Sequence, residues 1–271
     1  MSHEYSLTLM IAMAAVAILT GHVGLGWMAL ARRNPSATLG WKEQLLLSIV
    51  LGTGTCATSI LGLTNGVVEH EVGYGAVAAP VIWLGAVILC LPLAAALAHS
   101  RSAWAVALAA VLLTAAAAGT QMGWVWAAGF RPGVDWNHST VAAACGLMAV
   151  GFAFAIWVAG TIRSSQRTSG SARREPQNFL KVGAATVLGL SLIAGQQLML
   201  GGSDIDSQRG SAYRNQVPGT LLALACGALL PLTLTLMSLD LALRRKQRLE
   251  RRSSGFTPQK RRKRRHRVHT L

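Results

Sequence analysis

Long apolar stretches alternate with short polar ones along the chain, over roughly residues 6–30, 44–66, 75–98, 103–127, 139–162, 180–201 and 217–243. Each is long enough to cross a hydrocarbon core, which takes about 20 helical residues. Charge follows the same rhythm, absent from long stretches and clustered between them. A soluble chain spreads charge over every helix to keep its surface wet. This pattern instead predicts lipid-facing helices joined by wet loops. Glycine and alanine are frequent in the apolar stretches, and small residues let transmembrane helices approach closely. Pro80, Pro92, Pro218 and Pro231 stand in or at the ends of these stretches, where they are expected to kink them. The expected fold is all-α: a polytopic membrane protein with about seven transmembrane helices over residues 1–243, then a basic, disordered tail over 244–271.

Composition agrees with this reading. Hydrophobic residues make up 52% of the 271 positions and charged residues 13%, about half the charged share of soluble domains. The net charge of +15 is uneven, since 13 of the 25 Lys and Arg lie from Arg244 onward. Within the tail, Lys260, Arg261, Arg262, Lys263, Arg264 and Arg265 form an unbroken basic run. Such a run suits nucleic acid or the anionic cytoplasmic leaflet, where each basic residue is worth about 1 kcal/mol. The tail leaves directly from a span, so anionic lipid headgroups or an acidic protein are the expected partners, and nucleic acid is not.

Loop charges set the orientation. The loops after the first, third and fifth spans, with the tail, hold 22 of the 25 basic residues. The loop after the second holds Glu69, His70 and Glu71. The positive-inside rule then predicts an outer N-terminus and a cytoplasmic C-terminus, in the inner (plasma) membrane of a bacterium. Glu4 precedes the first apolar stretch with no basic residue before it, which predicts a retained helix and not a cleaved signal peptide. Trp27, Trp41, Trp104, Trp124, Trp126 and Trp136 fall near span ends, as interfacial anchors should.

The chain repeats itself. Ala17-Ile18-Leu19-Thr20-Gly21-His22-Val23-Gly24-Leu25 leads into Arg32 and Arg33, and Met148 to Trp157 leads into Arg163. The helix after each closes in a Gly-rich stretch, Leu51 to Leu63 in one case and Lys181 to Met199 in the other, with Ala115 to Trp124 as a weaker third copy. Three two-helix repeats plus a closing helix account for seven spans.

In small-residue spacing, repeat order and topology, residues 5–243 resemble the MHYT family of bacterial seven-helix membrane sensors. That family repeats a helix ending in Met-His-Tyr-Thr-Gly-Met near the outer face. Here the Met and His positions of the first repeat fall on Thr58 and Ser59, with Gly62 kept. The middle motif falls on Gly119 to Gly123, and the third on Gly195 and Gln196, with Gln197 at the tyrosine position. The resemblance implies a sensor of small molecules with copper as cofactor. Thr, Ser and Gln are poor copper ligands beside thioether and imidazole, so the expectation is a scaffold degenerate for metal binding.

Candidate chemistry is sparse. His22 lies within the first span, where an ionisable group is a functional candidate or a hydrogen-bonding partner for a neighbouring helix. Gln121, Gln196 and Gln197 occupy repeat-equivalent positions. With Met122, Met199, Thr58 and Ser59 they are expected either to line a small polar pocket or to make interhelical hydrogen bonds worth about 0.6–2 kcal/mol each. Cys56, Cys90, Cys145 and Cys226 are scattered through apolar stretches and read as small core residues. No nucleophile–base pair, phosphate-binding loop or HExxH occurs, so no enzymatic activity is expected. Three functions remain open: a membrane sensor or signalling-accessory protein with a cytoplasmic partner, an adaptor whose basic tail binds lipid or an acidic protein, and a small transporter, which the scarcity of polar groups inside the spans disfavours.

Overall fold

A backbone inside lipid must satisfy its own hydrogen bonds, and a helix does so within one segment. The apolar stretches accordingly form α1 (Leu7–Ala31), α2 (Trp41–Gly66), α3 (Ala78–His99), α4 (Ala103–Ala127), α5 (His138–Gln166) and α6 (Arg174–Gly201). The last span is composite: α7 (Gly219–Leu224), one π-helical turn (Ala225–Leu229) and α8 (Leu230–Ser254). This computed structural model describes residues 7–31, 41–66, 73–99, 102–130, 134–166, 174–205 and 216–254. Among them, six helices are long and apolar enough to cross a membrane, and α3 offers a shorter apolar stretch, Ala78–Leu93. The expected all-α polytopic architecture is the one the chain adopts.

Local signals start and stop these helices. Ser102 caps α4, its side chain accepting from the Ala105 amide at 3.2 Å. Asn137 Oδ1 accepts from the amides of Ser139 and Thr140 at 3.1 and 3.3 Å, opening α5. Such caps satisfy amides that the helix itself leaves without partners. Gly129 ends the α4 turn with φ of 68°, a left-handed conformation that glycine adopts without penalty.

The helices are arranged as three pairs. α2, α4 and α6 touch one another and form an inner trio. α1 packs between α2 and α6, α3 between α2 and α4, and α5 between α4 and α6. The composite span lies outside this ring, against α1 and α2. Close approach depends on glycine at two crossings. A Cβ on Gly21 would stand 2.8 Å from the Ala185 carbonyl oxygen, and one on Gly189 would stand 2.8 Å from the Ile18 nitrogen, so α1 and α6 meet backbone to backbone. Gly52 plays the same part between α2 and α3, where its Cβ would fall 2.8 Å from the Val87 nitrogen.

Two short antiparallel ladders join the loops at one end of the bundle. β1 (Gly73–Gly75), after α2, pairs with β4 (Gln216–Pro218), before α7; β2 (Val134–Trp136), after α4, pairs with β3 (Ser203–Ile205), after α6. The C-terminal ends of all three inner helices therefore share this ladder end.

Three expectations need correction. The last helix does not stop at residue 243 but runs to Ser254, so the basic segment begins as helix; Lys260 to Arg265 lie outside the described residues, as do Glu69, His70 and Glu71. Pro231 follows the π turn, and that turn, not proline alone, interrupts the seventh span. The tryptophans divide: Trp41, Trp104 and Trp126 are exposed at helix ends, whereas Trp27 and Trp124 are buried in the bundle.

Candidate functional site

The inner trio buries a polar cluster in its ladder-end half. On α2, hydroxyls first satisfy the helix's own carbonyls. Thr55 Oγ1 donates to the Gly52 oxygen at 2.9 Å, Thr58 Oγ1 lies 3.0 Å from the oxygens of both Gly54 and Thr55, and Ser59 Oγ donates to the Thr55 oxygen at 3.0 Å. From α6, Gln196 Nε2 donates to Ser59 Oγ at 2.8 Å and to the Thr55 carbonyl at 3.2 Å. A carbonyl can only accept, so this contact fixes which way the Gln196 amide is turned. Its oxygen must face away from α2, and Oε1 has no hydrogen-bond partner among the described residues.

Gln121 completes the set from α4. It is 0% exposed, and neither Oε1 nor Nε2 has a partner among the described residues. Its place follows from helix geometry. Thr55 meets α6 through Gln196, and Cys56, the next residue, meets α4 beside Trp124. At about 100° per residue, Ser59 falls between those two directions, on the side of α2 that faces the other two inner helices. Gln121 lies on the buried stripe of α4, which also holds Ala117 and Trp124 one turn to either side. Gln121 stands six residues before the end of its helix, Gln196 five and Ser59 seven, at nearly one depth. Thr20 of α1 stands apart from this set: its buried hydroxyl, without a partner among the described residues, is pressed against Gly54 on the α1 side of α2.

Above this cluster the β1 strand sends Tyr74 inward. The side chain is fully buried, edge-on to the Trp124 ring with centroids 5.2 Å apart. Burial pushes the Tyr74 hydroxyl well above the ordinary tyrosine range, and the neighbouring Thr64 side chain pulls it only part of the way back. No charged side chain is buried among the described residues, so the site is polar but electrically neutral.

Of the residues expected at the site, Ser59 and Gln196 meet between α2 and α6 with Thr58 beside them on α2, and Gln121 lies buried on α4 at nearly the same depth. Met199 is buried in the same core, and Met122 packs half-buried against it. Gln197 turns away towards α1, where Nε2 donates weakly to Met13 Sδ at 3.6 Å. His22 is not gathered in. It is exposed, because the buried stripe of α1 runs through Thr20, Gly21, Val23 and Gly24 and leaves position 22 facing outward. Three participants were not anticipated. Thr55 sits one turn before Ser59 on the same face, a signal that spacing could have supplied. Trp124 and Tyr74 depend on how the ladder end folds over the trio.

The donor set does not fit the copper that the family resemblance implies. It consists of hydroxyls and carboxamides, with Thr58, Ser59, Gly195 and Gln196 standing where the family carries Met and His. Among the described residues no three of His, Cys, Asp and Glu come together. The four cysteines are free, with Cys56 and Cys90 buried and Cys145 and Cys226 partly so. Compared with known proteins, the chain matches no family model, no curated protein and no solved structure.

Proposed function

We propose that the chain is a non-enzymatic membrane sensor or signalling-accessory protein, a diverged relative of the MHYT domain. In this reading the ladder end faces outward in a bacterial inner membrane, and α8 leads the basic tail into the cytoplasm. The observation that carries it is the neutral polar cluster of Ser59, Gln121 and Gln196, buried where three repeat-related helices meet. Polar residues buried where the three helices meet are placed to couple a bound molecule to helix packing, and helix packing to whatever meets the cytoplasmic loops. Small shifts at such a junction are passed on because packed helices have discrete arrangements.

The adaptor reading stays as the rival, favoured by one feature: α8 continues as helix into the basic segment, through Arg244, Arg245, Lys246 and Arg248. In-cell photocrosslinking from the cytoplasmic loops separates the two. A sensor changes its crosslinking pattern when Gln121→Leu alters the trio. A pattern unmoved by that substitution, yet abolished by truncation after Leu243, belongs to an adaptor. For orientation, a reporter fused after Leu271 is expected to be active only in the cytoplasm, and periplasmic activity would reverse the topology.

A further inference from the structure

We infer that the centre of the trio binds a small neutral molecule that donates and accepts hydrogen bonds at once, water or a solute the size of a primary amide. The inference deepens the sensor reading by naming its ligand class.

The open valences of the site define that class. Gln196 Oε1 can only accept, and its direction is fixed by the Thr55 carbonyl behind it. Gln121 offers both an acceptor and a two-proton donor at 0% exposure. A carboxamide buried with neither end paired is costly anywhere, and lipid supplies no water from the side. Packing alone would favour Leu or Met at position 121, since the rest of the α4 stripe is Ala, Val, Leu, Thr and Trp.

Charge rules out the obvious alternatives. No buried acid balances a cation, and no buried base balances an anion, among the described residues. An ion without a counter-charge in this medium is strongly disfavoured. A purely apolar guest would leave Gln121 and Gln196 as they are. What remains is a neutral molecule that gives a proton to a carboxamide oxygen and takes one from the Gln121 amide.

The test uses the full chain in lipid nanodiscs, with acetamide as probe and nuclear magnetic resonance of the glutamine side-chain amides as second readout. If a solute is the ligand, acetamide raises the melting temperature of the wild type by roughly 2–4 °C, and the rise is lost in Gln121→Leu. If water is the ligand, acetamide shifts nothing, but magnetisation passes from water to the Gln121 amide protons. The inference is overturned if acetamide has no effect and the Gln121 amide receives nothing from water. Both decisive readouts are on the wild type, so a poorly folding variant does not blunt them. Binding is measured without any signalling output: a site that binds while the crosslinks stay fixed refutes the sensor reading alone.

Discussion

α2 and the closing span are both apolar helices of similar length, yet they live in opposite surroundings. Of the most apolar window of α2, 78% is buried inside the bundle, against 11% for Gly219–Asp240. α2 is also the helix that carries Ser48, Thr55, Thr58 and Ser59, all buried, whereas the closing span shows Leu221, Leu224, Leu229, Leu232, Leu236 and Leu239 at its surface. In water the order would be reversed. In lipid a leucine gains nothing by turning inward, so helix contacts are made by small residues and hydrogen bonds. Position in the bundle is thus set by glycine and hydroxyl content, not by hydrophobicity.

That contrast can be broken by substitution, beginning where α2 is most constrained. Gly52→Leu drives a side chain into the α3 backbone at Val87 and is expected to cost about 3 kcal/mol or more, read as loss of folded protein in detergent. The same size increase at Leu232 or Leu236, on the lipid face, should leave yield unchanged. If both positions tolerate bulk equally, the contrast fails.

Next comes the alkaline limb of stability. The folded state holds Tyr74 protonated above its unfolded range, so its contribution is complete below about pH 10 and is lost as pH rises through the folded value. Wild-type stability should fall above pH 10 more steeply than that of Tyr74→Phe, as followed by thermal unfolding across that range.

Ser59→Ala removes one of the two acceptors of Gln196 Nε2 and should cost about 0.6–1.7 kcal/mol, measured by unfolding in mixed micelles. A cost near zero would mean that the Thr55 carbonyl alone suffices to hold the amide. The smallest effect belongs to the closing span. A Cβ on Gly227 meets Ala12 and Leu61 at 3.5 and 3.6 Å, ordinary contact distances, so Gly227→Ala should be within about 0.5 kcal/mol of neutral.

The two regions also differ in how legible they were. Span positions follow from apolar length, and the three-pair order follows from the repeat of Gly-rich stretches after basic loops. The common depth of Thr58, Ser59, Gln121 and Gln196 could be anticipated because they are repeat-equivalent residues on parallel helices. The direction in which each points could not, since a lipid-exposed face and a buried face have similar composition here. His22 lies on an exposed face, and of the two readings open for Gln197 the interhelical contact, to Met13 of α1, is the one that holds. Tyr74 was out of reach because its burial depends on a ladder between residues 73–75 and 216–218, a pairing with no local signature. The π turn was equally hidden, in a Leu/Ala/Gly segment that reads as ordinary helix.

The two ladders impose an order of assembly. β2 and β3 can pair once α6 has been inserted, closing the ring of six helices. β1 has its partner in β4, so Gly73 waits for Pro218 to be synthesised before it is tied down. Until then Tyr74 has no strand to hold it over Trp124, and the trio stands open at that end. A ribosome stalled just after β3 would thus carry a closed ring with an unsealed top, and release of the last span would be the event that shuts it.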